Sequence, residues 1–237
     1  MRRILTLVLA GACLALPPTG VGGPAPESHQ GQLRILLNNQ PIGTERYQIV
    51  SSGTEIRARG ETELRVGEQK LRQTAALELS PGLAPRRYEW KMLEPKATWA
   101  RMEFEGSVGT IHFPGPKGKD AVQVFDFGAA PVALLDNNVF HHFLLLAPLY
   151  DVAAGGRQTI KVFIPQALQP GDATVELLGV ETLTVDARPQ AVRQLSISTE
   201  DNQVLLWITE SGRFVRLRVP RANVEVVAEG ASPEPPK

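Results

Sequence analysis

The chain holds one cysteine, Cys13, so no disulfide can form within it. Its Lys+Arg and Asp+Glu counts are equal at 25 each, which leaves no basic excess of the kind a nucleic-acid partner requires. There is no Gly-x-Ser-x-Gly, no His-Glu-x-x-His and no phosphate loop, which removes the nucleophile-elbow hydrolases, the zincins and the P-loop enzymes. Only four histidines occur. Beyond Leu16 no apolar run is long enough to span a bilayer. No segment repeats at a fixed period.

The first residues have a definite pattern. Met1-Arg2-Arg3 is a short positive region, Ile4 to Leu16 is apolar, and Pro17, Pro18 and a Gly-rich stretch to Gly23 break the run. This is the layout of a secretory signal peptide of bacterial type, too short to span a membrane. The expectation is an exported, periplasmic protein, with residues 1–23 as leader and about 210 residues remaining, a length that suits one β-rich domain. Leu9-Ala10-Gly11-Ala12-Cys13 resembles a loose lipobox, but the apolar core runs past Cys13, so lipid anchoring there is the less favoured alternative.

Residues 24–30 form a polar linker, and 31–229 then read as one strand after another. From Glu55 to Val66 the alternation is strict: Ile56, Ala58, Gly60, Thr62, Leu64 and Val66 on one face, and charged residues on the other. A period of two with one wet face predicts antiparallel sheet. Gly60 in mid-strand predicts a bend or bulge. Tyr88, Trp90 and Met92, then Ala100, Met102 and Phe104, repeat the pattern. Val108–Phe113 and Ala121–Phe127 read as a hairpin. Three late strands form a meander, the last with Val215, Leu217 and Val219 on one face and Phe214, Arg216 and Arg218 on the other. Residues 230–237 are Pro-rich and polar, the composition of a disordered tail.

The period changes once. Leu134 to Asp151 (LLDNNVFHHFLLLAPLYD) predicts a helix, with Asp136 as N-cap, running to about Ala147 and stopped by Pro148. Val139, Phe140, Phe143, Leu144, Leu146 and Ala147 cover a wide apolar arc, with His141, His142 and Leu145 on the remainder, so protein must cover most of the helix. The predicted fold is therefore mainly β: a strongly curved antiparallel sheet, a half-barrel or open barrel, with one central helix packed on its concave face.

The turn Gly82-Leu83-Ala84-Pro85-Arg86-Arg87-Tyr88, the step Gly43-Thr44-Glu45-Arg46-Tyr47 and the late strand Val204-Leu205-Leu206-Trp207-Ile208 before Gly212 resemble a broad group of uncharacterised bacterial envelope proteins. The likeness spans residues 32–220. That group is similar in architecture to half-barrel carriers of lipoproteins and lipids, and the resemblance implies an exported carrier without catalytic residues.

Candidate chemistry is sparse. His141 and His142 are adjacent, and neighbours on a helix point about 100° apart, so they do not share a metal readily. The expectation is no metal and no cofactor, with one histidine on the helix surface and the other in a buried hydrogen bond. Glu61/Glu63 and Glu103/Glu105 alternate with arginines on the wet face and do not oppose each other across a cleft. Tyr88, Trp90, Met92, Phe104, Phe113, Phe140, Phe143 and Leu144 line the concave side, as core or as the wall of a pocket for a greasy ligand. The leading reading is a non-enzymatic carrier of a hydrophobic, lipid-like ligand. The alternatives are an envelope module that pairs with a protein partner through a sheet edge, and a hydrolase using the polar rim of the helix.

Overall fold

The structure, a computed structural model, describes residues 28–129 and 131–231. The leader, Cys13 and the tail beyond Ala231 lie outside the described residues. The strands are β1 (His29–Leu37), β2 (Gln40–Ser51), β3 (Ile56–Val66), β4 (Gln69–Leu79), β5 (Pro85–Glu94), β6 (Thr98–Glu105), β7 (Val108–Pro114), β8 (Asp120–Asp126), β9 (Val132–Leu134), β10 (Arg157–Ile164), β11 (Gln169–Val185), β12 (Arg188–Ser198), β13 (Gln203–Thr209), β14 (Phe214–Val219) and β15 (Val224–Ala228). β1 thus begins inside the stretch read as linker, and Ala231, in the stretch read as tail, bridges Val185.

All fifteen strands belong to one sheet, ordered β8-β7-β6-β5-β4-β3-β2-β1-β15-β14-β13-β12-β11-β10-β9. Every neighbour is antiparallel except β9, which runs parallel to β10. The sheet is open and curved, as expected. No ladder joins β8 to β9, but the two ends meet through side chains. The Phe125 and Phe163 rings lie 4.7 Å apart, and Phe127 contacts both. Alternation follows the sequence in β2 to β7, where inward residues are mostly apolar and outward ones carry ion pairs such as Arg57–Glu55 and Arg72–Glu61.

Two local readings are corrected. Gly60 sits in unbroken register with Tyr47 and Ala75, without a bulge. Its reason is space: a Cβ there would lie 2.5 Å from the His141 ring. In β14 the regular alternation fails. Trp207 pairs with Arg216 but Ile208 pairs with Phe214, so Val215 is the extra residue of a bulge. Phe214 therefore joins the concave core, while Val215 joins a second cluster with Val185, Val192, Trp207, Val227 and Ala231. Both faces of β14 are covered, and Arg216 is buried against Glu225 with its guanidinium 5.4 Å from the Trp207 ring.

The central helix is present but short. α1 spans His142–Leu146 and a 3-10 turn follows at Ala147–Leu149. Asp136 is not its N-cap; His141 holds that position and makes no capping bond. Asn138 has a left-handed φ of 60°, and the groups that would have formed the first helical turn bond to the sheet instead. The segment 135–150 is nevertheless a plug on the concave face, with Leu144, Leu146 and Val139 wholly inside the core.

Candidate functional site

The plug is seated on a polar row that crosses the sheet. Glu45 of β2 pairs in register with Thr62 of β3, and Thr62 with Gln73 of β4. All three face inward and are buried. Each bonds the backbone of the plug. Phe140 N–H donates to Glu45 Oε2 at 3.0 Å, and Thr62 Oγ1 donates to Asn138 C=O at 2.8 Å. Gln73 Nε2 donates to the carbonyls of Asn137 and Asn138 at 2.8 and 3.1 Å. Trp90 Nε1 holds Gln73 in place through its Oε1, at 3.1 Å. Buried backbone groups outside regular structure require partners, and this row supplies them.

Two contacts between ionisable groups stand at the ends of the row. His141 Nδ1 lies 2.6 Å from Glu45 Oε1, both side chains fully buried. Burial pushes the Glu45 carboxyl up to about 8 and the His141 imidazole down to about 3. Both shifts favour the uncharged forms of the pair, in which the carboxyl O–H would donate to Nδ1. On the other flank, Tyr88 O–H donates to Asp136 Oδ2, and the backbone N–H of Gln166 donates to Asp136 Oδ1 at 3.1 Å. Burial raises Asp136 to about 6 and holds the Tyr88 phenol well above its usual value. Between the flanks the rings form a column: Tyr47 stacked on His141 at 6.0 Å, His141 edge-on to His142 at 4.7 Å, and His142 edge-on to Tyr88 at 5.9 Å. Neither histidine is on the surface, contrary to the expectation for one of them.

The eight residues expected on the concave side are brought together in one core. Tyr88, Trp90, Phe140 and Leu144 are buried in it, and Met92, Phe104, Phe113 and Phe143 pack on it half-buried. Tyr88 and Trp90 act by their polar atoms as well as their rings. Sequence reading missed Glu45, Thr62 and Gln73. The available signal was a polar side chain in the inward phase of an otherwise apolar alternation, three times on consecutive strands.

The plug does not cover the whole wall. On β8 the inward side chains are Ala121, Gln123 and Phe125, set by register against Phe113, Ile111 and Gly109. Ala121, Phe113 and Phe125 are half-exposed, and Gln123 is exposed. Surface hollows lie elsewhere among the described residues. One of 440 Å³ on the outer face includes Arg46, Arg59 and Lys91, and two more sit at strand ends. Among the described residues no group of three or more His, Cys, Asp or Glu could hold a metal ion, and no helix is long and apolar enough to cross a membrane. The Glu45–His141 pair has the contact of an acid–base pair but no opening to solvent.

Fold and site together define an open, curved, almost wholly antiparallel sheet whose concave face is largely occupied by its own polar-seated plug. No protein-family model and no curated protein matches the chain. Among solved structures it is similar to a DUF1089 family protein from Pseudomonas aeruginosa, with a TM-score of 0.42 and 11% identity, over 92% of this chain and 98% of that one. It is also similar to a protein from Bacteroides fragilis with a YmcC-like fold and a proposed exported status, with a TM-score of 0.34 and 10% identity, over 90% of this chain and 100% of that one.

Proposed function

We propose that the protein is an exported, non-enzymatic binding protein that shelters a hydrophobic, lipid-like ligand on the inner wall of its open barrel. The observation that carries this reading is the partly exposed inner face at the β8 end of the sheet. Phe113, Ala121 and Phe125 point inward, and although Phe113 and Phe125 pack on the core, each of the three keeps part of its surface exposed beside the unclosed seam. Inward apolar surface that stays partly exposed fits a site for an apolar guest. The guest is held by shape and apolar burial, since the buried ionisable groups are occupied in holding the plug. The leader-like start supports an exported setting, and the resemblance to envelope half-barrel carriers points the same way.

Protein exported from cells and purified without detergent is extracted and analysed by mass spectrometry. The expected result is lipid at a near-stoichiometric level, lost when Phe113→Asp and Phe125→Asp are introduced together. Lipid-free protein that also fails to bind a fluorescent fatty acid sinks the proposal.

A further inference from the structure

The strand at the β8 end of the sheet has an open edge with a specific pattern. Phe127 N–H donates to Ser107 C=O, and Gly115 N–H donates to Lys119 C=O. Odd-numbered residues of β8 therefore turn their backbone groups toward β7. In an antiparallel strand the next residues turn theirs the opposite way, so Asp120, Val122, Val124 and Asp126 present N–H and C=O groups to the free edge. Among the described residues, none of these backbone groups has a ladder partner. The same four residues put their side chains on the outer face, where Val122 is 55% and Val124 60% exposed. An edge with unpaired backbone and bare valines is what sheets normally avoid.

The outward charges of the edge strand itself are all acidic. Asp120 and Asp126 bracket the valines, and Glu103 and Glu105 stand behind them on β6, all on the outer face. None of the four has an ion pair within 4 Å among the described residues; Arg101 is beside Glu89, and Lys161 on β10 stands near enough to Asp126 to add to the Gly128 N–H in holding its carboxyl down. A second copy of β8 fits poorly. Pairing two copies over their full length about Gln123 sets Asp120 opposite Asp126, and like charges directly opposed are destabilising.

We propose that the β8 edge is a docking strand for an extended segment of a partner protein, in which two alternating apolar residues are flanked by Lys or Arg. The segment adds as a sixteenth strand. Its backbone pairs with residues 120–126, its apolar side chains lie beside Val122 and Val124, and its cations face Asp120 and Asp126. This inference is independent of the lipid reading.

The probe is the peptide Lys-Thr-Val-Thr-Val-Thr-Lys with blocked ends, with a control in which Glu replaces both Lys. Saturable binding of the basic peptide is expected, at least tenfold tighter than the control and weakening with salt. Amide exchange at Val122 and Val124 should slow when it is added. Val124→Pro removes an N–H that no ladder uses, so the fold should survive, while peptide binding falls at least tenfold. Asp120→Lys should narrow the preference for the basic peptide at least threefold. Equal binding of both peptides, unchanged exchange, or native-like binding by Val124→Pro overturns the proposal. So does concentration-dependent dimerisation abolished by Val124→Pro, which assigns the edge to a second copy. If Val124→Pro does not fold, the exchange measurement on the native protein decides.

Discussion

Glu45 of β2 and His141 of the plug are 96 residues apart in sequence, and their side chains meet at 2.6 Å with no exposure to solvent. This contact fixes the plug to the sheet. The directions in which burial moves its two groups predict a dependence of stability on pH.

A carboxyl raised by folding binds its proton more tightly in the native state. Its stabilising effect is complete below its unfolded value of 4.5 and is lost as pH rises through about 8. His141 works in the other direction, lowered from 6.5 to about 3, so stability falls as pH drops below 6.5. His142, also lowered by burial, adds to this acid-side loss. Asp136, raised to about 6, opposes the histidines between 3.8 and 6. Above pH 6.5 only Glu45 still titrates among these groups, so stability should peak near pH 6.5 and decline toward 8. Glu45→Gln keeps an acceptor for Phe140 N–H and a donor for Nδ1 but cannot ionise. Its stability relative to the native protein, read from urea denaturation curves, should be lowest below about pH 4.5, rise steadily between pH 5 and 8, and level off above. Parallel pH profiles for the two proteins would refute the neutral-pair assignment.

Gly60→Ala places a methyl 2.5 Å from His141 Cε1 and 3.0 Å from Glu45 Oε1. Both neighbours are held by hydrogen bonds and stacking, so they have little room to retreat. Overpacking of this kind costs about 1–3 kcal/mol. Thermal denaturation should show the loss. Gly53→Ala, in open space at a turn, should leave the melting temperature within about one degree, an expected effect of under 0.5 kcal/mol.

Tyr88→Phe keeps the ring against His142 and removes the donor to Asp136. A buried acceptor that loses a partner costs about 1–3 kcal/mol. Because the Tyr88 bond holds the Asp136 carboxyl down against burial, the substitution should also move its titration upward from about 6. Carbon-13 NMR of the carboxyl reads the shift directly, and an unmoved titration would show that the bond does not form.

On the outer face, Arg216 and Glu225 form a buried ion pair beneath Trp207. Arg216→Met leaves Glu225 buried without its cation, an expected loss of about 3–5 kcal/mol. Arg216→Met combined with Glu225→Leu should recover most of that loss, because replacing both members by apolar groups leaves no stranded charge. Chemical denaturation of the two single variants and the double completes the cycle. A double variant no more stable than Arg216→Met alone would mean that the pair contributes packing that apolar side chains do not replace.

The succession of strands along the chain, the inward phase of Tyr88, Trp90 and Met102, and the burial of Leu144 and Leu146 were legible because period-two and period-3.6 patterns report which face is dry. Pattern gave less at Phe214 and Val215, where one bulge residue reverses the phase, and at Gly60, whose role depends on a ring brought in from the plug. The polar row was the harder case. Glu45 next to Arg46 reads as an ordinary charged stretch until its inward phase is noticed.

By itself the sequence determined a mainly β chain, one apolar segment too hydrophobic to stand in water, and the absence of the common catalytic motifs. Those follow from local spacing and composition. Only the tertiary structure decided that the segment is a plug with five helical residues. Hydrogen bonds from Glu45, Thr62 and Gln73, on three separate strands, replace the first turn that Asp136 would have capped. It also decided that the barrel stops short of closure, since β8 meets the other end of the sheet through Phe125, Phe127 and, on β10, Phe163, with no ladder between β8 and β9. Contacts of that range leave no period in the chain.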